Sequence, residues 1–175
     1  LAGWLSPGKA RKISSGILNR DKPSLSERFL RWIRGNWFVP DARKFWIRPS
    51  VRYLRPLLKD EGIDTVITTG PPHSLHLIGL HLKVHTGIRW IADFRDPWTD
   101  IYYYDKLYHT RWAKNVDRKY EKKVLEYANN VIVVSDAIKE QFISKSKQIT
   151  DNKFLVIPNG FDEEDFKKRQ NTKPE

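Results

Sequence analysis

Three stretches of this 175-residue chain set polar side chains directly after short apolar runs. The first is Thr69-Gly70-Pro71-Pro72-His73-Ser74. Glycine lets a ligand approach the backbone, and a helix starting behind it offers free N–H groups to an anion or a sugar hydroxyl. His73 and Ser74 add side-chain donors. The plainer alternative is a strand-to-helix turn with Ser74 as its N-cap. The second stretch is Asp93-Phe94-Arg95-Asp96-Pro97-Trp98. Three charges beside an apolar strand are costly unless they pair or face a cleft. A carboxylate there can accept a hydroxyl proton or orient a sugar, and Arg95 can hold a phosphate or clasp Asp96. At the third, Val134-Ser135-Asp136, a helix cap is the better reading. Pro158-Asn159-Gly160-Phe161-Asp162, near the end, reads as a turn after an edge strand.

The elements that must position these groups follow from periodicity. Ser24 with Glu27 has the spacing of a capping box. Behind it Leu25, Phe29, Trp32 and Ile33 form an apolar stripe opposite Arg28, Arg31 and Arg34. A second helical stretch covers about 41–61, with Pro49 and Pro56 starting, bending or splitting it, and Gly62 ends it. Strands are expected at 66–69, 88–92, 131–134 and 153–157, with helices at 74–86, along Trp112, Val116, Tyr120, Val124 and Tyr127, and at 136–146. A long loop covers 93–108. Residues 1–23 read as a loop or mobile insertion. Alternation of short apolar strands with helices implies right-handed βαβ units, hence a Rossmann-like, mostly parallel sheet with helices on both faces. The glycine-rich first strand-turn of such a sheet is missing.

Composition narrows the chemistry. The chain has no cysteine, which excludes disulfides and thiolate metal sites. The five histidines include His81 and His85 at i, i+4, but no carboxylate partner accompanies them, so neither a metal nor a cofactor is expected. No run reaches the roughly 18 apolar residues of a membrane span, and no signal peptide opens the chain. The net charge of +11 is concentrated: residues 1–60 carry 14 Lys/Arg against 4 Asp/Glu, whereas 61–175 carry 18 against 17. Four of the seven tryptophans lie in that basic third. Its stretch from Arg28 to Lys59 suits an anionic membrane surface; nucleic acid is disfavoured because no recognisable motif accompanies it. A solvated cationic face over core aromatics is the third reading.

The ordered set "ITTGPPHS", "IRWIADFRDPW", "ANNVIVVSDAIKE" and "FLVIPNGFDEEDF" resembles bacterial retaining glycosyltransferases of the GT-B fold, more narrowly the group-1, family-4-type enzymes that build surface polysaccharides of the cell envelope. The resemblance spans about 63–166. It implies a cytoplasmic enzyme, peripheral on the inner face of the membrane, that passes a sugar from a nucleotide-sugar donor to a glycan or lipid-linked acceptor with retention. This chain would be the N-terminal, acceptor-side domain through residue 166, with 167–175 as tail or interdomain linker. Asp93, Arg95 and Asp96 would orient the acceptor or catalyse, and Gly70, His73 and Ser74 would contact it. Asn159 and Gly160 would border the interdomain cleft. Many relatives carry a histidine after the strand corresponding to 88–92, so the choice among the three charged residues stays open. The donor would be held mainly by a C-terminal domain absent from this sequence, and the chain alone is expected to be inactive. The rival function is a non-catalytic α/β module that binds an anionic membrane or polymer.

Overall fold

The computed structural model describes residues 24–160, so the expectations for 1–23 and for 161–175 lie outside the described residues. Four strands, β1 (Thr65–Gly70), β2 (Arg89–Phe94), β3 (Asn130–Val133) and β4 (Phe154–Val156), form a parallel sheet in the order β1-β2-β3-β4. Their connections are the helices α3 (Ser74–Thr86), α4 (Arg111–Tyr127) and α5 (Asp136–Ile143). Two helices precede the sheet, α1 (Leu25–Trp37) and α2 (Ile47–Asp60), with a 3-10 turn at Lys44–Trp46 between them. The expected α/β class and parallel sheet are present. Among the described residues no strand precedes β1.

Strand order explains where the core lies. Each crossover steps to the next neighbour in the same direction, so right-handed connections drop every connecting helix on one face. Trp90, Ala92, Phe94, Val131, Val133 and Phe154 point to that face and pack against Leu77 and Leu80 of α3, Val124 and Leu125 of α4 and Phe142 of α5. The alternate positions look the other way, and Ile67 stays 61% and Leu155 49% exposed. The expectation of helices over both faces is therefore met on one face only among the described residues.

Local rules set several boundaries. Ser24 and Glu27 close the capping box on α1 as expected. Pro49 falls in the first turn of α2, where a missing N–H costs little, while Pro56 sits inside the helix. Ser135 caps α5. Two apolar stripes are not the buried stripes. In α1 the buried positions are Arg31, Gly35 and Asn36, while Leu25, Phe29 and Leu30 lie exposed. Asn36 anchors the helix: its amide donates to Trp32 O (2.8 Å) and Tyr108 O (3.1 Å), and its oxygen accepts from Thr110 N (2.6 Å). In α4 the buried positions are Ala113, Asp117, Glu121, Val124 and Leu125, with Trp112 and Tyr127 exposed. Buried carboxylates are tolerated there because each is met by donors, as described below.

Candidate functional site

The carboxyl ends of three strands meet at one edge. The Arg95 N–H donates to Gly70 O (3.1 Å), tying the end of β2 to the end of β1. Its guanidinium donates from Nη2 to Asn159 Oδ1 (3.1 Å), reaching the turn after β4. Arg95 does not pair with Asp96 among the described residues, so the Arg95–Asp96 clasp is replaced by this longer link. Asp93 lies within β2, half-buried, opposite Thr69 in register and on the sheet face that the helices leave open. Asp96 is exposed and helps raise the Tyr103 phenol, behind the larger effect of burial. Asn159 and Gly160 are both exposed.

Beneath this edge lies a stack of buried rings. His73 lies flat on Trp98, centroids 4.6 Å apart, and His76 on Phe94 at 4.3 Å. Trp90 donates its indole N–H to Thr68 Oγ1 (2.9 Å), and the same hydroxyl shares a hydrogen bond of 2.9 Å with His76 Nδ1. A Cβ at Gly70 would sit 2.5 Å from His76 Nε2 and 3.2 Å from His73 Nδ1, so glycine is required for both imidazoles to close on the strand end. Neither nitrogen has a hydrogen-bond partner among the described residues. Burial pushes the His73 imidazole down to about 4, against an opposing pull from Asp41. Burial, reinforced by His73, also holds His76 well below the usual histidine range. Both rings are neutral at pH 7.

Two parts of the first motif differ from expectation. The start of α3 does not offer all its N–H groups: Ser74 N donates to Asp41 Oδ2 (2.7 Å) and Ser74 Oγ to Asp41 Oδ1 (3.0 Å). Ser74 is itself buried and is the first helical residue, with His73 at the N-cap position. A carboxylate settles there because it satisfies orphan donors at the positive end of the helix dipole. Nothing local in the sequence links Asp41 to a helix that begins 33 residues later.

Sequence reasoning also missed the clamp behind the 95–110 loop. Asp117 accepts from Trp98 Nε1 and from the Tyr104 hydroxyl, both at 2.8 Å. Glu121 accepts from Thr99 N (3.2 Å), Thr99 Oγ1 (2.6 Å) and Lys145 Nζ (2.6 Å), and Lys145 also bonds Asp100. Burial raises the Asp117 carboxyl to about 6, above its ordinary value. The available signal was the spacing Ala113, Asp117, Glu121, Val124, a helical stripe that acidic side chains disguise as a wet face.

A groove of about 1890 Å³ runs between α2, α3 and α4. It lies apart from the Asp93–Asp96 segment. Ile47, Val51, Leu77, Val116 and Tyr120 line it, as do Arg48, Arg52, Arg55 and Lys59. Among the described residues no helix is long and apolar enough to cross a membrane. Compared with known proteins, the chain matches the family model Glycosyltransferase Family 4 over residues 15–165. No curated protein matches it.

Proposed function

The chain belongs to Glycosyltransferase Family 4 and is thus a glycosyltransferase domain, and from that premise we propose that the β1–β2–β4 edge is the acceptor side of a sugar-transfer site. The observation that carries the reading is the link Gly70–Arg95–Asn159, which draws three strand ends and the neutral His73 to one rim. In the proposed reaction an acceptor hydroxyl, on a glycan or lipid-linked sugar, forms the new bond to the anomeric carbon of a nucleotide sugar. The bond to the nucleotide phosphate breaks, and the hydroxyl loses its proton. Asp93 or Asp96 orients that hydroxyl and takes the proton. Arg95 is the cation for developing phosphate charge, already steered by Asn159. His73, unprotonated and stacked on Trp98, lies just beneath the Gly70 strand end and offers a sugar the small part of its ring that stays exposed. A second domain carries most of the donor, so transfer requires both, and the anomeric configuration is retained.

The test is transfer by the complete enzyme carrying Asp93→Ala or Asp96→Ala. At least one substitution is expected to lower kcat by about 100-fold or more, the usual contribution of a positioned base. His73→Ala should mainly raise the acceptor KM. Undiminished transfer by both aspartate variants would sink the assignment. The non-catalytic alternative predicts no transfer from any donor.

A further inference from the structure

Ring contact alone holds the His73 imidazole in its plane. Its side chain makes no hydrogen bond among the described residues, and Nδ1 is buried without a partner. A neutral ring in that position keeps the orientation of whatever it lies against. Phe94 lies at 6.2 Å and His76 at 5.9 Å, each inclined by 30°. Trp98 is closer, at 4.6 Å, and parallel to within 6°. Stacking weakens with distance and tilt, so the indole sets the plane of His73.

The indole is fixed in turn from behind. Its single N–H points along the ring plane, so a bonded partner removes the ring's freedom to rotate. That N–H donates to Asp117 Oδ1 at 2.8 Å, and the Tyr104 hydroxyl donates to Oδ2 at 2.8 Å. With both oxygens engaged, the carboxylate cannot swing away. One turn along α4, Glu121 accepts from the N–H and the hydroxyl of Thr99, and Lys145 closes that end. Two carboxylates a turn apart thus hold two consecutive residues of the loop. Asp117 and Trp98 are both buried. An apolar side chain would fill the Asp117 position at lower cost, because a buried carboxylate must be desolvated. What an apolar side chain cannot supply is direction.

We propose that Asp117 is a positioning residue of the sugar site: through Trp98 it sets the plane of His73 at the β1 rim. Its role at that site rests on the sugar-transfer reading. The coupling of carboxylate, indole and imidazole does not, and it is measurable without any sugar.

NMR of the ring protons of His73, on the full chain with isotope-labelled histidine, reads the coupling. The Trp98 ring current shifts these protons upfield, and burial keeps the ring neutral down to about pH 4, against the pull of Asp41. Asp117→Leu should lose most of the upfield shift. Its His73 midpoint should rise toward the ordinary 6.5, because a loosened ring meets water. His76 and Asp41, the titratable groups that face His73, are unaltered in this variant. Asp117→Asn keeps an oxygen for the indole and should restore both signals. Tyr104→Phe removes the other donor to Asp117, leaves Trp98 bonded and should also keep them. If Asp117→Leu does not fold, Trp98→Phe severs the same link and should raise the midpoint likewise. Unmoved His73 signals in the folded variant overturn the proposal. So does equal movement in Val131→Thr, which disturbs the core without touching these three residues. Methyl glycosides of glucose, galactose and N-acetylglucosamine serve as sugar probes. They should perturb His73 in the unaltered chain and in Asp117→Asn, and bind Asp117→Leu about tenfold more weakly. If none of the three perturbs His73, the sugar-transfer reading of this rim fails, and Asp117 with it as a site residue, while the ring signals still decide the coupling.

Discussion

Asp117 is a carboxylate held where a charge is expensive, and its titration should be visible in the stability of the fold. Its folded value of about 6 exceeds the ordinary 3.8 because burial penalises the anion more than Trp98 and Tyr104 compensate it. For an acid raised in the folded state, the native form binds the extra proton. This group's contribution therefore falls as pH climbs from about 4 to about 6 and is flat above, by about 3 kcal/mol at most. Asp117→Asn should remove that slope, since an amide can still accept from the Trp98 indole. Urea midpoints at pH 4.5 and 7 for both proteins check it: an unchanged difference between the two pH values would show that Asp117 does not titrate there. At this scale the sequence was informative about Gly70, His73, Arg95 and Asn159, which the fold gathers at one edge. It was silent on Asp41 and Asp117, whose partners lie 33 and 19 residues away in Ser74 and Trp98.

At the scale of elements, spacing located every strand and the connecting helices, but not which side of each helix is buried. In α1 and α4 the apolar stripe was legible and the buried stripe was its neighbour. A hydrophobic pattern reports which side chains avoid water on average; satisfied hydrogen bonds can outweigh it wherever a polar residue meets its partner. In α3 the fit is steric. Gly79 lies against the Trp90 indole, close enough that a Cβ would fall inside van der Waals contact. Gly79→Ala should therefore destabilise the protein by roughly 1–3 kcal/mol although alanine favours helices, because the ring has no room to retreat. Val84→Ala, on the exposed side of the same helix, should stay within about 0.5 kcal/mol. Thermal unfolding of the two variants distinguishes them.

For the whole molecule the informative asymmetry is the sheet. Parallel sheets ordinarily bury both faces, and here the described helices cover one. Val131→Thr places a hydroxyl in the fully buried face and should cost about 1–3 kcal/mol. Ile67→Thr, on the other face, should cost much less if that face meets water. Equal losses in chemical denaturation would mean that Ile67 is covered in the folded chain. The same asymmetry bears on the candidate site, because Asp93 rises from the open face and any group that covers it would border that carboxylate.

By itself the sequence determined the class of fold, the positions of four parallel strands and the order of the motifs at their ends. Those features rest on local periodicity, capping and turn chemistry, which act over a few residues. Only the tertiary structure decided that Asp41 caps α3, that Arg95 turns to Asn159 and not to Asp96, and that two acidic residues of α4 are buried. It also decided that the basic stretch lines a groove with α3 and α4. Each of these is a contact between segments far apart in the chain, and its energy depends on geometry that no local pattern encodes.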